Sequence, residues 1–117
     1  MKLIVAGSRS FSDYKLLKEK LDYFLRNVQT PVEIVSGTAK GADKLGEQYA
    51  KEKGYALKQF PADWDKYGKK AGYVRNRQMA EYGTHCVCFW DNKSYGTKMM
   101  IELAAEKGLP CRVVYFA

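Results

Sequence analysis

The sequence predicts one α/β domain over residues 1–117, a doubly wound, five-stranded parallel sheet with helices on both of its faces. Three observations predict this fold. Short apolar segments alternate with segments of helical periodicity, as in repeated βαβ units. Three of the helical segments end in glycine, which is typical of a helix that turns back toward a strand. The 117 residues are 46% hydrophobic, which is enough for one core and too apolar for a disordered chain.

The first three elements are a strand, a helix and a strand. Residues 2–6 form a short apolar run that predicts a fully buried strand. Apolar residues recur on one helical face over residues 13–28, and Ser12 is the predicted N-cap of that helix. Residues 32–36 predict the second strand, because Pro31 separates them from the helical pattern.

The same unit recurs through the rest of the chain. Helices are predicted over residues 42–53, 72–82 and 96–107, and strands over residues 56–60, 85–90 and 111–116. Gly54, Gly83 and Gly108 directly follow the three helices. Glycine at such a position can adopt the left-handed conformation that ends a helix, so each one marks a turn into the next strand.

Glycines and polar residues gather in the loops that follow the first four predicted strands. In open α/β sheets the ligand lies outside the carboxyl ends of the strands, so these loops predict a binding site. The candidate ligand-binding residues in them are Gly7, Ser8, Arg9, Ser36, Gly37, Lys40, Gly41, Asp43, Asp63, Trp64, Asp91, Ser94, Gly96 and Thr97. The opposite edge of the predicted sheet contains only Lys-Gly and Tyr-Gly turns.

The glycine-rich loops after the first two strands favour an anionic ligand. Backbone N–H groups can approach a phosphate or carboxylate there, at the amino end of a helix. Arg9 and Lys40 supply positive charge beside them. The alternative for either loop alone is an ordinary strand-to-helix turn, which also favours glycine. Neither loop matches a standard dinucleotide or P-loop fingerprint.

The acidic and aromatic residues of these loops fit a nucleoside. Asp43, Asp63 and Asp91 can accept hydrogen bonds from ribose hydroxyls, as carboxylates do in dinucleotide folds. Asp43 fits equally well as an acidic residue in the first turn of a helix. Trp64 is predicted in a loop, where it can stack on a base, whereas Trp90 is predicted as a core residue.

The sequence predicts no metal site and no serine-hydrolase chemistry. His85 is the only histidine and shares strand parity with apolar residues, which favours a structural role. Cys86 and Cys88 alternate with it and are interpreted as small core residues. The three cysteines have no spacing that suggests a disulfide framework, which predicts reduced thiols. The sequence has no apolar run of membrane-spanning length and no signal peptide, so we expect a cytoplasmic protein that does not enter membranes.

The positive charge is concentrated in one segment. The chain has a formal charge of +7, from 20 basic and 13 acidic residues. Residues 66–77 contain no acidic residue and five basic ones, which are Lys66, Lys69, Lys70, Arg75 and Arg77. Tyrosines lie between them, so single-stranded nucleic acid is one candidate partner. If residues 72–82 are helical, however, Arg75 and Arg77 lie about 200° apart and cannot line one groove together.

The order of the loops resembles a known family. Five segments, taken in order, resemble the YspA/cpYpsA-related branch of the Rossmann-like SLOG superfamily. They are GSR after the first strand, VSGTAKGAD after the second, PADW after the third, RNRQMAEYG before the fourth, and FWDNKSYGTKMMIEL, which begins within the fourth. The resemblance covers about residues 3–114. It implies a nucleotide or nucleotide-derived ligand over the carboxyl edge of the sheet, with no further cofactor required.

The same superfamily includes nucleotide phosphoribohydrolases of the Lonely Guy type. Their R-K-x-x-M stretch is similar to residues 75–79 here, which places Arg75 at the arginine and Asn76 beside it. Their GGxGTxxE loop is similar to residues 95–100, but Met100 stands where the glutamate would be. Methionine cannot transfer a proton, so the resemblance favours ligand binding over N-glycosidic hydrolysis.

The expected function is therefore binding of a nucleotide or nucleotide-derived small molecule, for sensing, sequestration or an uncharacterised reaction. A nucleotide hydrolase is the first alternative, with Arg75 as its candidate catalytic residue. Binding of single-stranded nucleic acid is the second. The expected partner is an anionic small molecule, and exposed Tyr and Met side chains on the last helix would suit a homo-oligomer.

Overall fold

The computed structural model describes residues 1–117 and contains one sheet of five strands. The strands are β1 (Lys2–Gly7), β2 (Glu33–Ser36), β3 (Ala56–Gln59), β4 (His85–Trp90) and β5 (Cys111–Tyr115). Their order in the sheet is β3-β2-β1-β4-β5, and every neighbouring pair is parallel. The predicted fold class, a five-stranded parallel α/β sheet, is confirmed.

The four predicted helices are present, and a fifth short one was not predicted. The helices are α1 (Tyr14–Leu25), α2 (Ala42–Lys53), α3 (Trp64–Tyr67), α4 (Ala71–Tyr82) and α5 (Tyr95–Glu106), with a 3-10 turn at Gly68–Lys70. Helix α3 contains no buried residue. Its four residues are too few for apolar periodicity, which is why the pattern did not indicate it. No helix is long and apolar enough to cross a membrane.

The amino end of α1 corrects one prediction. The cap is Asp13 and not Ser12, because the Asp13 carboxylate accepts a hydrogen bond from the backbone N–H of Leu16 at 3.0 Å. An N-cap side chain reaches the N–H group three residues further on. The helix therefore begins one residue later than the Ser12 cap requires.

The core lies on both faces of the sheet, and β1 contributes to both. Leu3 and Val5 pack with residues of α1 and α2, whereas Ile4 and Ala6 pack with residues of α4 and α5. Successive side chains of a strand point to opposite faces, so a strand covered by helices on both sides is apolar throughout. This is why residues 2–6 form an unbroken apolar run rather than an alternating one.

The connections leave a crevice at the carboxyl edge between β1 and β4. From β1 the chain proceeds through α1 to β2 on one side, and it later returns through α4 to place β4 on the other side. Loops that leave neighbouring strands in opposite directions open a ligand-sized gap. Gly7 ends β1 at this gap, where a Cβ atom would lie 2.4 Å from the Phe89 carbonyl oxygen.

Candidate functional site

A cavity of about 450 Å³ opens at this carboxyl edge, and we call it the edge cavity. Its volume is within the range of sites for small molecules. It is lined by most of the residues predicted from the loops and motifs, namely Gly7, Ser8, Arg9, Asp43, Trp64, Arg75, Asn76, Asp91, Ser94, Gly96 and Thr97. The fold therefore brings together groups that lie up to 90 residues apart in the chain.

Two predicted residues build the loop between β2 and α2 without lining the edge cavity. The hydroxyl of Ser36 accepts a hydrogen bond from the Thr38 N–H at 3.0 Å and donates one to Glu47 at 2.7 Å. Gly41 has a φ of 86°, and a Cβ atom there would lie 2.5 Å from the Ser8 carbonyl oxygen. Ser36 therefore fixes this loop onto α2, whereas Gly41 lets it pack closely against the loop that follows β1.

Lys40, Asp63 and Gly37 are also outside the lining. Lys40 is exposed. The carboxylate of Asp63 accepts a hydrogen bond from the Lys66 N–H at 3.0 Å and so caps α3. Gly37 does not line the cavity, but its carbonyl oxygen accepts a hydrogen bond from Arg75, which does.

Arg75 is the central cation of the edge cavity. It is half-buried on α4, and its Nη1 donates to the Gly37 carbonyl oxygen at 2.5 Å while its Nε donates to Asn76 Oδ1 at 2.8 Å. Burial lowers the pKa of Arg75, and the nearby carboxylate of Asp43 opposes that effect. A guanidinium held this firmly is oriented before any ligand arrives.

Asp43 is the buried carboxyl group of the site. It is 4% exposed, in the first turn of α2, and accepts a hydrogen bond from the Ala39 N–H at 3.1 Å. Burial raises the pKa of Asp43 to about 6, although the Ala39 hydrogen bond, Arg75 and Arg9 all favour the charged form. This carboxyl group can therefore gain or lose a proton close to neutral pH.

Asn76 connects Arg75 to the amino end of α5. It is 6% exposed, accepts from Arg75 through Oδ1, and donates from Nδ2 to the Gly96 carbonyl oxygen at 3.2 Å. The adjacent Arg and Asn of the RN motif therefore act as one unit that joins the walls of the cavity.

Asp91 organises the loop that leads into α5. Its Oδ1 accepts from the backbone N–H groups of Lys93 and Ser94 at 2.9 and 2.8 Å, and also from the Ser94 hydroxyl. The two backbone N–H groups hold the pKa of Asp91 at about 2. The hydroxyls of Ser94 and Ser8 lie 2.9 Å apart, which ties this loop to the end of β1.

The amino end of α5 lies at the edge cavity. Gly96 and Thr97 line it in the first turn, where N–H groups have no partner within the helix. A Cβ atom at Gly96 would meet nothing within 4 Å, so the space next to this backbone is open. The helix dipole makes such a position favourable for an anion.

The two tryptophans differ from their predicted environments. Trp64 is the first residue of α3 rather than part of a loop, and it is 54% exposed where it lines the edge cavity. Trp90 is half-buried rather than a core residue, and its indole N–H donates to the Ser94 carbonyl oxygen at 3.0 Å. Indole N–H groups that are removed from water usually have a hydrogen-bond partner, and this bond ties the end of β4 to the loop before α5.

The two arginines of the basic segment, residues 66–77, lie in different surroundings, as their helical spacing predicts. Arg75 lines the edge cavity, whereas Arg77 donates to the Tyr73 hydroxyl at 3.2 Å and pairs with Glu81 at 3.8 Å. The three lysines of the segment, Lys66, Lys69 and Lys70, are exposed, and we call them the lysine rim. Arg9 is the other arginine that lines the cavity.

Met100 occupies the cavity where the resemblance would require a glutamate. It is 1% exposed and lines the edge cavity, while the nearest glutamate along the helix, Glu102, is exposed and outside the lining. Sequence reasoning missed Gly72 and Met79 on α4, which line the cavity with Arg75 and Asn76. Counted from Gly72, the residues Arg75, Asn76 and Met79 follow at three, four and seven positions, which places all four on one helical face. This spacing was the signal in the sequence that could have identified them.

The parallel sheet, the crevice between β1 and β4 and the glycine-bearing loops define a Rossmann-like α/β protein. The chain belongs to the YspA, cpYpsA-related SLOG family, whose family model matches residues 1–67. The Gene 61 protein of Mycobacterium phage D29 is 30% identical over 115 residues, covering 93% of this chain and 92% of that protein. No solved structure matches the chain significantly.

Proposed function

We propose that the edge cavity binds a nucleotide or a nucleotide-derived anion, for sensing, sequestration or a reaction of that ligand. The observation that carries the proposal is the convergence of Arg75, Arg9 and the amino end of α5 on one cavity at the switch point of the sheet. Membership of the SLOG family supports a nucleotide-related role.

Hydrogen-bond donors, an aromatic ring and a carboxyl group in the edge cavity would each recognise a different part of a nucleotide. The N–H groups at Gly96 and Thr97, with the Arg75 guanidinium, provide donors for a phosphate. Trp64 offers an exposed aromatic face on which a base can stack. Asp43 is the carboxyl group available to a ribose hydroxyl, because the Oδ1 of Asp91 already accepts three hydrogen bonds.

Binding is tested by measuring thermal stability with a panel of nucleoside phosphates, ADP-ribose and cyclic dinucleotides. A ligand present at 100 times its Kd adds about 2.7 kcal/mol to the free energy of unfolding. Arg75→Ala should abolish the shift, whereas the matched control Arg77→Ala should retain it, because Arg77 lies outside the cavity lining. The proposal is wrong if no member of the panel stabilises the chain or if both variants respond equally.

Hydrolysis of a nucleotide is a second candidate function, and one observation favours it. Asp43 is a buried carboxyl group beside Arg75, with a pKa of about 6 that suits general acid–base catalysis. In this role Asp43 would do the proton transfer that Met100 cannot.

The two candidates are separated by incubation with nucleoside monophosphates, followed by chromatography for released base or phosphate. Turnover that is lost in Asp43→Asn, with ligand binding retained, supports hydrolysis. Binding without any released product supports the sensing or sequestration role alone.

A further inference from the structure

Three thiols, two from β4 and one from β5, meet on one face of the sheet, and we call them the thiol cluster. Cys86 and Cys88 lie on the same face of β4 with their Sγ atoms 3.6 Å apart. Cys111 on β5 is the direct register partner of Cys86. All three Sγ atoms lie within 4.8 Å of one another. Cys111 is 23 residues beyond Cys88, so sequence spacing could not reveal the cluster.

The thiol cluster is apolar on one side and accessible on the other. Cys86 and Cys88 are 2% and 0% exposed and pack in the cluster of Met79, Met100 and other apolar residues. Cys111 is half-buried and packs against the edge of the same apolar cluster. The sulfurs are therefore approached at Cys111, the most exposed of the three cysteines.

We propose that the thiol cluster binds one soft, thiophilic metal ion, and that this ion is monovalent copper. Thiolates select soft ions, and Cu(I) accepts a trigonal set of three sulfur ligands. Structural zinc sites instead need a fourth ligand to complete a tetrahedron. No carboxylate or imidazole atom belongs to the cluster, so the chain supplies three sulfurs and no fourth ligand.

The observed distances require only small movements. A metal–sulfur distance of about 2.3 Å places three sulfurs in a trigonal plane roughly 4.0 Å apart. One pair already lies at 3.6 Å and every pair lies within 4.8 Å. Shifts of less than 1 Å, within the reach of a side-chain rotation, bring all three sulfurs to the ion.

The thiol cluster lies beneath the floor of the edge cavity. Met79 and Met100 line that cavity and also pack in the apolar cluster that contains Cys86 and Cys88. The two sites nevertheless use different residues for contact with their ligands, because none of the three cysteines lines the edge cavity. The proposal for copper is therefore independent of the proposal for a nucleotide.

The test is an anaerobic titration of the reduced 117-residue chain with Cu(I) against a chromophoric copper chelator, with ascorbate as reductant. We expect one equivalent of Cu(I) to transfer to the protein. Cys86→Ser, Cys88→Ser and Cys111→Ser should each weaken binding by at least about tenfold, since each removes one of three ligands. His85→Gln is the matched control, because it removes the neighbouring imidazole and leaves all three sulfurs in place.

Protection of Cys111 from alkylation by iodoacetamide gives a second measurement that needs no variant. Bound Cu(I) should slow labelling of the wild-type chain at Cys111, whether or not the buried cysteine variants fold. Four results would each overturn the proposal: no copper taken from the chelator, full-affinity binding by Cys111→Ser, a loss of binding in His85→Gln, or saturation by Zn(II) in preference to Cu(I). None of these results depends on whether the edge cavity binds a nucleotide.

Discussion

The Arg75 Nη1 atom donates a hydrogen bond to the carbonyl oxygen of Gly37 at 2.5 Å, and this contact joins α4 to the loop that follows β2. Because Nε is bonded to Asn76, only Nη2 has no protein partner within hydrogen-bond distance. Nη2 is therefore the nitrogen left to meet an anion. The same side chain fixes the walls of the edge cavity and supplies its charge.

Replacing Arg75 with lysine should lower ligand affinity even though the charge is kept. A lysine ammonium cannot bond the Gly37 carbonyl, the Asn76 side chain and a ligand in the planar geometry of a guanidinium. We expect Kd to rise by about tenfold or more, equivalent to about 1.4 kcal/mol, in calorimetric titration with the ligand found by thermal shift. Arg77→Lys is the control, and equal losses in the two variants would contradict the assignment.

Adding a methyl group at Gly37 should disturb Asp43 and Arg75, which line the edge cavity. A Cβ atom there would lie 2.8 Å from Asp43 Oδ2 and 2.9 Å from Arg75 Nη1. Both side chains must shift, so we expect Gly37→Ala to lose about 1–3 kcal/mol of stability and to bind ligand more weakly. Chemical denaturation and ligand titration measure the two effects. A variant as stable and as tight as the wild type would show that the loop yields freely.

Gly96→Ala should weaken ligand binding without lowering the stability of the fold. The added Cβ meets no protein atom within 4 Å, and alanine is the better helix former, so the free energy of unfolding should stay the same or rise slightly. Ligand affinity should nevertheless fall, because the methyl group occupies the open space beside the backbone at the amino end of α5. Unchanged affinity would place the ligand elsewhere in the cavity.

The sequence predicted the carboxyl edge of the sheet well because backbone connectivity decides which loops meet there. It could not assign separate tasks to Asp43 and Asp91, since both follow strands and both fit a ribose contact. Only the fold shows that Asp43 is 4% exposed while Asp91 accepts hydrogen bonds from its own loop. The thiol cluster was missed for a related reason, because the register of β4 against β5 brings Cys111 to Cys86.

Asp43 should make the wild-type chain less stable as the pH rises from about 4 to about 6. Its pKa is raised from 3.8 to about 6, so across this window the folded chain keeps a proton that the unfolded chain releases. Stability therefore falls as pH rises through the window and is constant above it. A shift of this size corresponds to roughly 3 kcal/mol.

The check is the free energy of unfolding of Asp43→Asn and the wild type, measured from pH 4 to pH 8. The variant has no titrating group at this position, so its profile should be flatter and its relative stability should be greatest above pH 6. Parallel profiles for the two proteins would mean that Asp43 does not titrate in this range.

Asp91 should make the wild-type chain less stable as the pH falls from about 4 toward 2, which is the opposite of the pH dependence expected from Asp43. Backbone N–H groups of Ser94 and Lys93 lower its pKa from 3.8 to about 2, so its contribution is present above pH 4 and is lost as the pH falls toward 2. Asp91→Asn lacks this contribution at every pH. The stability gap between wild type and variant should therefore narrow on acidification, as measured by thermal unfolding at pH 7, 4 and 3. A constant gap would indicate a role that does not depend on charge.

The lysine rim should affect how fast a ligand arrives and not how long it stays. Lys66, Lys69 and Lys70 are exposed and lie outside the cavity lining, so they act on an anion through solvent and at a distance. Replacing all three with glutamine should lower the association rate up to about tenfold at low salt and leave the dissociation rate nearly unchanged. Stopped-flow titration at several salt concentrations measures both rates.

The same triple variant separates a small anion from a nucleic-acid strand. A strand that contacts several lysines would lose affinity steeply with salt in the wild type, and most of that dependence would disappear in the variant. A mononucleotide held by Arg75 and the amino end of α5 should show a shallow salt dependence in both proteins. A much faster dissociation rate in the variant, together with a flattened salt slope, would mean that the rim contacts the bound ligand directly and would favour the polymer.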